Sequence, residues 1–447
     1  MGRADMGTDA SQRSSLHEPR TAGMVASGSH LGRGGATMND IPMNEVGRRL
    51  REIRAWRGLS LETAAGLAGI SFGYLGRLER GEQTLTNRHT LEALAQALRV
   101  APSEFTGRPW EVPDGLGADV YAGVVAVEEA LDICQLGDDP GTPVREWPHI
   151  QTDLTQLEQF RGAGDYQAIG RQAPALLMEL HAMYVRSPEQ RRPILTGMIG
   201  SYFAMMVMAK HLGVRGLPLL AAKAAQTCAE ELDSPEWRGA AMWMRGNVTG
   251  ALSRPQQYSR AVTLADELTA GLDDPRVLQA YGMLHLSASL AAAVQSDRAT
   301  AETHLDEAAA VAGRMDSDIG QFGRMWFGRI NVGIWRTSIG LELGDGPRAI
   351  EAVQGLDVSA IPDPARLAGF YAEAGRVMLS EPKSREEGLQ LLLKAEALSP
   401  QRVRSDLFVR EAVADQLRSA RRNAGGRNLR GLAWRLGVAP EAGTSSN

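Results

Sequence analysis

A chain of 447 residues with 43% hydrophobic content is long enough for two or three domains with packed cores, and 23% charged residues is ordinary for a globular protein. No run approaches the ~18 consecutive apolar residues of a membrane span, and two cysteines, Cys134 and Cys228, are too few for a disulfide framework or a cysteine-rich zinc site. The net charge of −5 is segregated: residues 44–105 carry nine Arg against seven Glu, residues 402–447 carry nine Arg against four acidic residues, and residues 106–401 are strongly acidic, so any nucleic-acid contact belongs to a small module near an end of the chain.

Residues 1–42 are rich in Gly, Ser, Arg and Thr without helical or strand period, which predicts a disordered arm that lacks the apolar core of a secretory signal. Met38 and Met43 offer alternative starts to Met1. A domain is then predicted over 43–106. Val46, Leu50 and Ile53 recur at i, i+4 and i+7 among Arg48, Arg49, Arg51, Arg54 and Arg57, giving an amphipathic helix stopped by Gly58. Ser60 caps a second helix with Ala64, Leu67 and Ala68 inward, ending near Gly69. Ser71 caps a third, with Leu75 and Leu78 inward and Gly81 as its left-handed stop. Thr86-Asn87 leads into a fourth with Leu91, Leu94, Ala95 and Leu98 at helical spacing, before Pro102.

The segments Gly58-Leu59-Ser60, Gly69-Ile70-Ser71 and Leu78-Glu79-Arg80-Gly81, in that order, closely resemble the xenobiotic-response-element family of lambda-repressor-like helix-turn-helix regulators. The resemblance implies that the third helix enters the major groove of double-stranded DNA with Phe72, Gly73 and Arg77 toward base edges, Arg77 as a bidentate fork on guanine. Ser71, Tyr74, Arg80, Asn87 and Arg88 are the phosphate candidates, with Arg57 weaker. Glu79 is expected to pair with Arg48 or Arg49, and Trp56 to pack inward. Leu61 stands where many family members place Gln, and Gly73 and Gly76 offer the groove no side chain, so readout leans on Arg77 and DNA shape.

Residues 107–119, with Pro109, Pro113 and several Gly, read as a linker. Residues 120–401 read as helices in pairs: Glu236–Leu252 with Gln256–Leu272, Pro275–Val294 with Arg298–Met315, Phe322–Leu343 with Pro347–Val353, and Pro364–Leu379 with Arg385–Leu398. A recurrence of roughly 40 residues signals a solenoid of helical hairpins. Gly164-Asp165-Tyr166 and Ala240-Ala241-Met242-Trp243 resemble degenerate tetratricopeptide repeats. The expected fold is therefore all-α: an N-terminal lambda-repressor-like helix-turn-helix domain followed by an α-solenoid of tetratricopeptide-like helical hairpins. In the solenoid groove, the polar or aromatic residues on first helices are Trp243, Asn247, His285, Arg329, Asn331 and Trp335, suited to a peptide, small molecule or partner helix. Met205, Met206 and Met208 are core filler or an adaptable lining.

Residues 402–437 form a basic helical segment, open between a phosphate contact, a dimer contact and a solvated face, and 438–447 a disordered tail. The layout is similar to long actinobacterial regulators and to peptide-pheromone-responsive regulators of Gram-positive bacteria. No phosphate loop, HExxH or GxSxG motif occurs, so neither enzyme activity, a cofactor nor a metal is expected. The leading reading is a cytoplasmic homodimeric regulator that reads a pseudo-palindromic operator and is gated by an effector in the body. The alternative is a protein-interaction adaptor whose repeats are the working part.

Overall fold

The computed structural model describes residues 45–100, 102–106, 116–250, 253–423 and 426–438. The predicted arm at 1–42, most of the linker at 107–119 and the tail beyond 438 lie outside the described residues. Regular structure among those described is entirely helical.

The first domain consists of α1 (Glu45–Trp56), α2 (Leu61–Leu67), α3 (Phe72–Glu79), α4 (Arg88–Leu98) and α5 (Ser103–Thr106). Each break has a local cause. Gly58, Gly69 and Gly81 all hold positive φ, the conformation that ends a helix cheaply only at glycine. Ser60 Oγ accepts from Thr63 N, Ser71 Oγ from Tyr74 N, and Asn87 Oδ1 from Thr90 N, so three successive helices start on a side-chain cap. Val46, Leu50, Leu75, Leu78, Leu91, Leu94 and Leu98 are buried together with Phe105. Gly47 allows α1 to lie directly on the end of α3: a Cβ there would sit 2.2 Å from the Leu78 carbonyl oxygen.

The body opens with α6 (Leu116–Ile133), which starts inside the stretch expected to be linker. It continues as pairs: α7 (Trp147–Ala163) with α8 (Tyr166–Arg186), α9 (Arg191–His211) with α10 (Leu217–Leu232), α11 (Pro235–Asn247) with α12 (Arg254–Leu268), α13 (Pro275–Val294) with α14 (Arg298–Gly313), α15 (Arg329–Glu342) with α16 (Gly346–Gln354), and α17 (Pro364–Ser380) with α18 (Arg385–Leu398). The pairing read from the sequence holds, with two larger shifts. The helix expected over Glu236–Leu252 ends at Asn247. The helix expected from Phe322 begins at Arg329, because Gly323, Arg324 and Trp326 take left-handed φ and Gly328 a φ of 151°, which no continuous helix admits.

Segments Pro188–His211 and Pro275–Val294 are long and apolar enough to cross a membrane by composition, a possibility the count of consecutive apolar residues missed. Here they are central core helices, with 72% and 89% of their apolar windows buried inside the protein. Met205, Met206 and Met208 belong to that core. Cys134 and Cys228 are buried free thiols.

The basic segment after residue 401 does not stand apart. Short helix α19 (Pro400–Arg404) leads to α20 (Leu407–Asn423) and α21 (Arg427–Arg435). Val403, Val409, Val413, Leu429 and Leu432 share one core with Leu379, Leu389 and Leu392 of the last pair. Arg404 and Arg435 both hold Glu396. Leu407 and Phe408 pack against the first domain's core.

Candidate nucleic-acid interface and body cavity

The third helix has a buried side and an open side. Leu75, Leu78 and Glu79 are buried, while Ser71, Phe72, Gly73, Arg77 and Arg80 are exposed. Phe72 keeps 58% of its surface accessible. The three residues expected at base edges thus lie together on the accessible side. Arg77 Nε donates to Gln83 Oε1 at 2.9 Å, a solvent-exposed contact that a stronger acceptor could replace. Arg80 makes two hydrogen bonds to Glu82, at 2.8 and 2.9 Å, which raise the arginine and lower the carboxyl.

Several expectations for this domain shift. Glu79 is indeed buried against a first-helix arginine, but that arginine is Arg54, with bonds of 2.6 and 2.8 Å, rather than Arg48 or Arg49. Arg54 lies in the last turn of α1, while Arg48 turns outward to Glu52. Trp56 is 75% exposed, with the Arg57 guanidinium 4.8 Å from its ring. Arg57 itself donates to the carbonyls of Leu98 and Arg99, where it finishes α4. Tyr74 is half-buried, and burial pushes its phenol up.

The start of α4 faces the body. The Arg88 backbone N–H donates to Glu342 Oε2 at 3.0 Å, and its guanidinium lies 3.9 Å from both Glu342 and Glu373. His89 Nδ1 meets the Val294 carbonyl at 2.7 Å, Arg376 donates to the Thr86 carbonyl, and Arg254 pairs with Glu92. Arg88, expected on phosphate, therefore serves the seam, since two carboxylates of an acidic body lie within reach. Asn87 Oδ1 caps α4. A sequence reading could not separate these roles, because Arg suits a phosphate and a carboxylate equally.

A second site lies within the body. A cavity of about 140 Å³ is lined by Arg161 of α7, Lys210 and His211 of α9, Trp243 and Asn247 of α11, Met283 of α13, Asn331 and Trp335 of α15, Arg366 of α17 and Arg402 of α19. Every pair contributes its first helix, and among the described residues none from the second helices α8, α10, α12, α14, α16 and α18 lines it. Four of the six groove candidates, Trp243, Asn247, Asn331 and Trp335, meet here, at i, i+4 spacing on each of two helices. Met206 is the member of its methionine cluster that lines the cavity.

The other two lie elsewhere. His285 pairs with His304, Nδ1 to Nδ1 at 3.0 Å, and Arg329 donates to Asp318 and to the Met315 carbonyl. Nor are the remaining amides idle. Asn331 is buried between the Met325 carbonyl and Arg366, and Asn247 donates to the Trp243 carbonyl.

The Gly164-Asp165-Tyr166 segment explains how this cavity closes. Gly164 ends α7 with φ 73°, and Asp165 caps α8 through Ala168 N. The fully buried Tyr166 puts its hydroxyl 2.6 Å from His211 Nδ1. His211 Nε2 accepts from Arg402 at 2.8 Å, so Nδ1 carries the imidazole proton toward Tyr166, and burial together with Arg402 holds His211 well below its ordinary value. Ser399 donates to the Ala163 carbonyl and Gln401 accepts from Tyr166 N, bringing the last pair onto the first.

A helix-turn-helix domain family matches residues 45–106. Among solved structures, the chain is similar to the crystal structure of Bacillus thuringiensis PlcR in complex with the peptide PapR7 and DNA, at 9% identity and a TM-score of 0.33, over 82% of this chain and 99% of that one. No curated protein matches the chain.

Proposed function

We propose that this chain is a sequence-specific DNA-binding transcriptional regulator of the xenobiotic-response-element type, whose helical body holds an effector that gates the helix-turn-helix domain. The observation that carries the reading is the exposed trio Phe72, Gly73 and Arg77 on a serine-capped third helix of a helix-turn-helix domain. Arg77 reads a guanine through O6 and N7, and Phe72 packs on a neighbouring thymine methyl. Ser71 and Arg80 meet backbone phosphates on either side.

A single such domain covers little DNA, and specific affinities of ~10⁻⁸–10⁻¹¹ M usually draw on two half-sites, which favours a homodimer on a pseudo-palindromic operator. The seam around Arg88 supplies the link between body and head: a change in α15 or α17 moves Glu342 or Glu373, and with them the start of α4. The chain acts in the cytoplasm and has no catalytic role in this reading. Footprinting of purified protein on its own upstream DNA tests it. Two protected half-sites one helical turn or a multiple apart are expected, and protection that follows no sequence would leave the adaptor reading in its place.

A further inference from the structure

We propose that the body cavity binds a small organic anion, a carboxylate or phosphate group on an apolar frame, with Lys210, Arg366 and Arg402 holding the charge and Trp243 and Trp335 lying against the frame. This deepens the effector reading above and rests on it only for the consequence at DNA.

Among the described residues, Asp363 is the only carboxylate in the cavity wall, and it is already committed: it accepts from Arg161 at 3.3 Å, from the Trp326 indole at 3.2 Å and from the Arg366 backbone N–H at 2.9 Å. Arg161 has Glu158 as a second partner, and so has Arg324. Among the described residues, Lys210, Arg366 and Arg402 are left with no carboxylate at ion-pair distance. Arg366 donates to a neutral amide, Asn331 Oδ1, at 2.7 Å, and Arg402 donates to a neutral imidazole. Glu373 acts on Lys210 and Arg366 from farther away, while Ser338 and Arg88 hold it in place.

Three converging cations with no described carboxylate in direct contact repel one another, and an anion that joined them would relieve that repulsion. Their protonation behaviour agrees. Lys210 is open to solvent at the cavity mouth, yet protein atoms crowd its ammonium, and this crowding with Arg88, Arg402 and Arg254 nearby pulls it down to about 7. Burial pulls Arg366 down to about 10.

The apolar half has its own support. Trp243 is 92% buried, and its indole N–H has no acceptor among the described residues, a rare state for a buried donor. Arg324 and Trp326 hold left-handed φ of 53° and 56° in the loop that walls the cavity, the kind of backbone strain that collects at ligand clamps. Gly369 leaves room for the Arg402 guanidinium, which lies 2.4 Å from where a Cβ would stand. The cavity's modest volume suits a compact molecule rather than a length of chain.

The test titrates the full chain, in buffer free of oxyanions, with benzoate, phenyl phosphate and neutral benzyl alcohol, read by calorimetry and tryptophan fluorescence. One of the two anions is expected to bind one per chain, at least about tenfold more tightly than the alcohol, and their ratio identifies the preferred head group. Lys210→Gln and Arg366→Gln should each weaken that anion by about tenfold or more, as loss of a charged hydrogen bond does. Lys210→Gln should also keep or raise the melting temperature of the ligand-free protein, which loss of a structural ion pair would lower. Equal affinity for benzyl alcohol, no saturable anion binding, or anion binding indifferent to both substitutions in folded variants would overturn the site. Because no DNA is present, such a failure leaves the footprinting result untouched. Anion binding by a chain that selects no DNA would keep the site and remove only the gating.

Discussion

Arg54 and Glu79 join the last turn of α1 to the last residue of α3 through two parallel hydrogen bonds of 2.6 and 2.8 Å, with only 16% and 6% of the two side chains exposed. The pair fixes the angle at which the third helix is presented. Glu79→Ala leaves a mostly buried guanidinium unpaired, which costs about 3 kcal/mol. Urea unfolding followed by circular dichroism should show a lower midpoint for the first domain, and an unchanged midpoint would remove the pair from the account.

Gly47→Ala should act on the same joint from the other side. A methyl group 2.2 Å from the Leu78 carbonyl oxygen cannot be accommodated by a side-chain rotation, because the obstacle is backbone. A loss of roughly 1–3 kcal/mol is expected, together with weaker DNA binding as α3 is displaced. Gly66→Ala, where among the described residues nothing beyond the helix's own neighbouring backbone lies within 4 Å of the new carbon, is the matched control and should be neutral or slightly stabilising.

The seam between head and body should loosen when Glu342 loses its charge. Burial pushes the Glu342 carboxyl up against the pull of Arg88 and Arg376, so the pair is strained by desolvation but still charge-assisted. In Glu342→Gln, amides of residues 86–92 should exchange faster by about 1–2 kcal/mol of opening free energy, while those of α3 stay as they were. Hydrogen exchange read by mass spectrometry resolves the two segments.

His285 and His304 predict an acid-sensitive body. Burial, with His304 beside it, holds His285 at about 4, and burial also lowers His304. An unfolded histidine takes its proton near ~6.5, so the unfolded chain binds more protons than the native one below that pH. The associated stability is complete above about 6.5 and is lost as pH falls toward 4. Melting curves from pH 7 to 4 should fall less steeply in His285→Gln than in the parent chain, by roughly 2 kcal/mol over the range.

Much of this was legible in the sequence because local rules governed it. Ser60, Ser71 and Asn87 marked helix starts, Gly58, Gly69 and Gly81 marked stops, and pair boundaries after residue 235 followed from apolar period and proline. Trp243, Asn247, Asn331 and Trp335 could be placed on one wall from their spacing. What depended on distant partners was not legible. The choice of Arg54 over Arg48 rests on where α3 ends in space, and Arg88 is drawn to Glu342 and Glu373, more than 250 residues later. Lys210, Arg366 and Arg402 were missed because no short spacing connects them. The signal available was the run of first-helix positions, which the Gly164-Asp165-Tyr166 contact closes into a ring of walls only once Ser399 and Gln401 are seen against it.

The most direct measurement is competition binding at one fixed, moderate salt concentration, with a selected genomic site against scrambled DNA, for the parent chain and for Arg77→Ala. Base reading by α3 should give the parent chain a preference of at least about a thousandfold. Arg77→Ala should cut that preference by roughly 5- to 100-fold, the ~1–3 kcal/mol of one bidentate base contact, while affinity for scrambled DNA changes little. A parent chain that binds scrambled DNA as well as any genomic site, or an Arg77→Ala chain with undiminished preference, would contradict it.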